Sequence, residues 1–139
     1  MKTRPRTSLT FEAVRQIGLT LPEVEEGTYY GGPALKVRGK VFACMATNRV
    51  AEPNSLIVWT DESSRDELIS AEPHVYYLKD HYVGSPAVVL VRLSRVDPSA
   101  LRDLLIGSRR LVLSSASKRV SASAAEQWQR RVRRRAGSS

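Results

Sequence analysis

Cysteine is nearly absent from this chain. Cys44 is the only one in 139 residues, so no intramolecular disulfide can form, and nothing in the cysteine usage argues for an oxidising compartment. Long apolar runs are missing as well. No stretch approaches the roughly 20 residues that a membrane helix needs. The first residues, Met1-Lys2-Thr3-Arg4-Pro5-Arg6, are basic, but no apolar segment follows them as a secretory leader requires. The expectation is a soluble, cytoplasmic protein without a membrane partner. Internal repeats and long low-complexity stretches are also lacking.

The signatures of chemistry are equally sparse. His74 and His81 stand seven residues apart, and with Cys44 they offer three potential metal ligands. No Cys-x-x-Cys or His-x-x-x-His pairing supports a metal site. Serines are plentiful, but there is no Gly-x-Ser-x-Gly elbow for a hydrolase. There is no Gly-x-x-x-x-Gly-Lys-Ser/Thr phosphate loop, and the proline of Gly31-Gly32-Pro33 lacks the N–H that a phosphate cradle uses. Glu23, Glu25 and Glu26 form a carboxylate cluster, yet no apolar stretch beside it would bury one carboxylate and split their pKa values. It reads as a solvated acidic turn. No catalytic residue, metal site or cofactor is expected, and the protein is read as a non-enzyme.

What the chain has is enough apolar material for one core and an uneven charge. Hydrophobic residues make up 42% and the net charge is +8. Lys2, Arg4 and Arg6 place +3 at the start. Lys118, Arg119, Arg130, Arg131, Arg133, Arg134 and Arg135, set against Glu126, place +6 in residues 118–139. The body from 7 to 117 holds 12 cations and 13 anions. Basic arms bind polyanions by counterion release whatever the base sequence, and they also solubilise proteins.

Periodicity gives an outline of the fold. Phe11, Val14 and Ile17 recur at helical spacing after Ser8 or Thr10, predicting a first helix near 8–18. Leu35 and Val37 alternate with Lys36 and Arg38 as a half-buried strand. Val41 to Met45 forms its hairpin partner across Arg38-Gly39-Lys40. Leu56–Thr60 is a third strand. Ser64 and Glu67 suit a capping box for a helix that Pro73 ends. His74–Leu78 and Ala87–Leu93 are further strands, the latter apolar enough to be central. Asp97-Pro98 opens a last helix lined by Leu101, Leu104 and Leu105. The predicted class is α+β: an antiparallel sheet with helices packed on one face, in the order α-β-β-β-α-β-β-α over residues 7–117. A basic extension, 118–139, follows. Within it Ser123 and Glu126 can cap a helix whose face carries Trp128 and Val132.

The run from Leu21 to Ala43, with its Pro-led acidic turn, its Tyr29-Tyr30-Gly31-Gly32-Pro33 break and its basic hairpin, resembles the MmcQ/YjbR family of small, mostly bacterial proteins. The likeness continues through Val75-Tyr76-Tyr77-Leu78-Lys79-Asp80-His81-Tyr82, through Pro86–Leu93 and through Leu101-Arg102-Asp103-Leu104-Leu105. It covers about 100 residues, from Phe11 to roughly Val112. The resemblance implies a double-wing fold and the DNA binding usually ascribed to that family. Many relatives carry a Tyr or Trp just after the last helix, where this chain has Ser108-Arg109-Arg110.

Together these features predict contact with the phosphate backbone of DNA or RNA and little sequence preference, since no base-reading element is evident. The candidate contacts are Lys36, Arg38 and Lys40 on the hairpin, Arg109 and Arg110 at the helix corner, and Lys118, Arg119, Arg130, Arg131, Arg133, Arg134 and Arg135 in the extension. Lys36 and Arg38 should share a strand face. Tyr76, Tyr77 and Tyr82 offer at most a partial stacking surface, because one of Tyr76 and Tyr77 should be buried. The alternative is an interaction or regulatory module that uses an exposed sheet or hairpin edge.

Overall fold

The computed structural model describes residues 9–84 and 87–117. The fold is α+β, with helices α1 (Phe11–Gly18), α2 (Glu62–Ala71) and α3 (Pro98–Ser117). The strands are β1 (Val24–Tyr29), β2 (Gly32–Val37), β3 (Lys40–Met45), β4 (Ser55–Trp59), β5 (Tyr76–Tyr77) and β6 (Val88–Arg92). All neighbouring strands pair antiparallel in one sheet of order β1-β2-β3-β4-β6-β5. The basic extension 118–139 lies outside the described residues.

The predicted order is present with one strand added. β1 occupies the residues expected to form an acidic turn. Its register places Val24 opposite Val37, Glu25 opposite Lys36 and Glu26 opposite Leu35. Two ion pairs hold this region from outside the strand pairing: Arg15 of α1 reaches Glu26 at 2.8 Å, and Arg38 reaches Glu23 at 2.7 Å.

β3 and β4 lie in the middle of the sheet, β6 lies between β4 and the edge strand β5, and every residue of β4 is buried. The alternation of strand side chains assigns the two faces. Leu56, Val58, Val89, Val91 and Tyr76 share the helical face, in register across β4, β6 and β5. α1 packs on the same face, so close that a β-carbon on Gly18 would clash with Leu35 Cδ1. The opposite face, with Cys44, Ile57 and Leu90, is covered by the loop 46–54 and by residues 78–84, which include a 3-10 turn at Asp80–Tyr82. There Asn48 Nδ2 lies 3.2 Å from His81 Nε2, and the Glu52 amide donates to the Tyr77 hydroxyl at 2.8 Å. A register shift between Leu35 and Lys36 leaves Phe42 without a cross-strand partner. Phe42 is fully buried, as expected of a bulge that re-aims a side chain.

The helix starts follow elementary capping rules, with one correction. Asp61, rather than Ser64, caps α2, its carboxylate accepting the Ser64 amide at 2.7 Å. Asp97 accepts the amide of Ser99 at 3.2 Å, and Pro98 takes the first helical position. α3 is longer than its leucine pattern implied, so Ser108-Arg109-Arg110 lies inside the helix and not at a corner after it. β5 shrinks to two residues, and both its tyrosines are buried, at 3% and 8% exposure. No stacking platform of Tyr76 and Tyr77 therefore exists on the surface.

Candidate nucleic-acid interface

The β2–β3 hairpin closes through Arg38 and Gly39, with φ of 52° and 79°. Two consecutive left-handed residues make the turn whose twist matches the flanking strands. Glycine adopts this conformation freely, whereas arginine does so at a cost. The consequence is a correction to the expected basic face. Arg38 leaves the strand for the turn, Lys36 stands opposite Val41, and Lys40 stands opposite Val37. Strand alternation then sends Lys36 and Lys40 to opposite faces. The Lys36 stem lies over β1, its Cε 3.0 Å from where a β-carbon on Gly27 would sit.

Arg38 is also engaged. Its Nε and Nη2 reach the two oxygens of Glu23 at 2.7 and 3.4 Å. The guanidinium, by hydrogen bond and by charge, holds the Glu23 carboxyl below its usual range, and Arg109 adds a weaker attraction. Arg109 itself donates from Nε to the Pro22 carbonyl at 2.8 Å. Two predicted site residues, far apart in sequence, thus converge on the Pro22-Glu23 turn, where a carboxylate and a carbonyl occupy them. Arg110, one helical step away, faces a different groove. Elsewhere in the body Arg15, Arg65 and Arg92 also pair with carboxylates. Lys118, Arg119, Arg130, Arg131, Arg133, Arg134 and Arg135 lie outside the described residues.

The groove that Arg110 borders is a feature the sequence reading missed. It runs between α2 and α3, encloses about 870 Å³, and has Val58 and Tyr76 among its lining residues. α3 carries two apolar rows. Leu101, Leu105, Ser108 and Val112 are buried, whereas Ala100, Leu104, Gly107 and Leu111 line the groove and are half-buried or exposed. α2 buries no residue completely. The spacing of the second row, 100-104-107-111, is visible in the sequence, but only its Leu104 was read as apolar helix face.

Among the described residues, no three His, Cys, Asp or Glu side chains come together as a metal set. Cys44 is buried, and desolvation pushes its thiol up to about 12, which makes it a poor nucleophile at neutral pH. No described helix is long and apolar enough to cross a membrane.

Comparison with known proteins agrees with this architecture. A family model described as YjbR matches residues 19–111. The crystal structure of Deinococcus radiodurans protein DR2400, described as domain DUF419, superposes with a TM-score of 0.65 over 86% of this chain and 90% of that one. At 23% identity that likeness establishes the fold. No curated protein matches the chain.

Proposed function

Because the chain belongs to the YjbR family, we propose that it is a non-enzymatic protein that binds DNA or RNA through the phosphate backbone with little sequence preference. In this reading the C-terminal arginines make the principal contacts. The observation that carries it is the contrast between body and arm. In the body, Arg15, Arg38, Arg65 and Arg92 are bound to carboxylates, and anions outnumber cations 13 to 12 over residues 7–117. In the arm, Arg130, Arg131, Arg133, Arg134 and Arg135 fall within six residues. An array of that density can neutralise several phosphates at once, and each contact adds about 0.9 to the log–log salt slope on duplex DNA.

The test is a titration of duplex DNA and single-stranded RNA across salt concentrations. It compares the intact chain with a variant carrying Gln at Arg130, Arg131, Arg133, Arg134 and Arg135, and with a variant carrying Ala at Lys36, Arg38 and Lys40. The expected result is a slope flattened by roughly 4 in the arm variant and a smaller effect of the hairpin variant. Unchanged binding by the arm variant, with binding abolished in the hairpin variant, would place the contact on the wing instead. Absence of binding by the intact chain at low salt would favour the second reading, an interaction module with no nucleic-acid role. The open groove between α2 and α3 supports that reading.

A further inference from the structure

We propose that the groove between α2 and α3 binds a small apolar amine, its ammonium held at the end marked by Tyr76, Glu72 and Asp103 and its apolar body laid along α3 past Gly107. Tyr76 stands opposite Val91, so its side chain leaves the sheet on the helical face, and it lines the groove. It is 3% exposed. Its neighbour Tyr77 bonds through its hydroxyl to Ser55 and to the Glu52 amide, whereas no described residue hydrogen-bonds the Tyr76 hydroxyl. A buried hydroxyl without a protein partner is costly. A polar group entering the groove supplies that partner.

The charges around this hydroxyl select the sign of the partner. Burial raises the pKa of the phenol, and the carboxylates of Glu72 and Asp97 raise it further, so it stays protonated while its oxygen can still accept a hydrogen bond. Both carboxylates lie at one end of the groove. α3 departs from the end of β6 that pairs with Ser55, and α2 returns the chain to Tyr76 beside Val91 at that same end. Glu72, which closes α2, and Asp103, in the second turn of α3, line the groove there. Among the described residues no hydrogen bond or ion pair engages either side chain. The other charged side chains of the groove do not offset them: Asp61 is occupied by the cap of α2, and Glu67 and Arg110 are of opposite sign. An ammonium can donate to the Tyr76 oxygen and to Glu72 together, whereas an anion meets like charge.

The rest of the groove suits an apolar body of limited size. Leu68 and Ala71 line it from α2, and Leu104 and Leu111 line it from α3. Between those two leucines Gly107 is exposed, and a β-carbon built on it would meet nothing within 4 Å. Glycine inside a helix is unfavourable; here it keeps the α3 wall open midway along its length. The enclosed volume of about 870 Å³ falls within the range of small-molecule sites, about 300–1,000 Å³. Amine binding goes beyond contact with nucleic acid and is tested without it.

The experiment follows the amide resonances of the isotope-labelled full chain while phenethylamine is added to millimolar concentration at constant ionic strength. Phenethyl alcohol and hydrocinnamate, which match its shape with no charge and with the opposite charge, are the controls. The expected result is saturable shifts confined to the surroundings of Glu72, Tyr76, Leu104 and Gly107. Binding of the alcohol and the acid should be roughly tenfold weaker or worse, because the charge-assisted bonds are lost. Glu72→Gln should weaken amine binding several-fold, and Gly107→Phe, which fills the groove, should abolish it. Tyr76→Phe should weaken binding yet leave the thermal midpoint of the free chain equal or higher, because the hydroxyl it removes has no partner within the fold. Equal binding of the three compounds would overturn the proposal. So would the absence of saturable shifts, shifts that map elsewhere, or a lowered midpoint in Tyr76→Phe. Groove resonances that move with protein concentration alone would assign the groove to a second copy and overturn it as well.

Discussion

Ser108 donates its hydroxyl to the carbonyl of Phe42 at 2.8 Å, joining α3 to β3 inside the core. Ser108 is 3% exposed and Phe42 fully buried. The bond falls at the β-bulge, where the register shift leaves Phe42 without a cross-strand partner. An aromatic side chain at position 108 would displace α3 from the sheet, so the position demands a small hydrogen-bonding residue.

Ser108→Ala should therefore destabilise the fold by about 1–3 kcal/mol, the range for a buried polar group left without its partner. Urea unfolding monitored by circular dichroism measures it. A midpoint equal to that of the parent chain would show that the Phe42 carbonyl needs no partner.

The two apolar rows of α3 should respond unequally to truncation. Leu105 is fully buried, so Leu105→Ala should cost about 2–5 kcal/mol. Leu104 lines the groove and is only half-buried, and Leu104→Ala should cost less than half as much. Equal losses in paired thermal melts would mean that the groove row is packed as tightly as the sheet row.

Cys44 should be inert in the folded protein. Desolvation raises its thiol to about 12, and it is buried on the sheet face opposite the helices. A thiol reagent at pH 8 should label it only in step with unfolding, because the thiolate is the reactive form. Fast labelling of the native chain would reveal a route of access through the 46–54 and 78–84 coverings.

Stability should fall with acidification below the ordinary carboxylate range. Bonding to Arg92 lowers the Glu52 pKa, and bonding to Arg38 lowers that of Glu23. A folded-state pKa below the unfolded value stabilises above the unfolded value of about 4.5, and that stabilisation fades as pH drops through the folded one. Urea midpoints between pH 6 and pH 2.5 should show the decline, and a Glu23→Gln, Glu52→Gln variant should show a shallower one. Identical slopes would assign the acid sensitivity to other groups.

The sheet was largely legible because apolar alternation and apolar runs mark buried strands. Leu35 with Val37, Leu56–Trp59 and Val88–Val91 announced themselves in this way. β1 was not, for a physical reason. Val24-Glu25-Glu26-Gly27-Thr28-Tyr29 has few apolar side chains to alternate, and its acidic residues are held by Arg15 of α1 and by pairing with β2, partners that lie elsewhere in the chain. The hairpin lysines and Arg38 were identified, but their geometry was misjudged. Simple alternation assumes that the strand continues, whereas the left-handed pair Arg38-Gly39 turns the arginine out of the strand and toward Glu23. The α2–α3 groove escaped notice because a half-buried second row on a helix looks, in sequence, like breadth of the first.

The strand order also governs how the chain behaves while it is being made. β1 through β4 form a meander in which each strand pairs with its predecessor, so the sheet can assemble locally as residues 24–59 are synthesised. The free edge of β4 then waits for β6, which begins at Val88. At 5–20 residues per second the wait lasts roughly 1.5–6 s. Throughout it the apolar run Leu56-Ile57-Val58-Trp59 presents an unpaired edge, the kind of surface on which nascent chains adhere to one another. The interval between the emergence of Trp59 and that of Val88 from the ribosome is thus the time for which this edge lacks its partner strand.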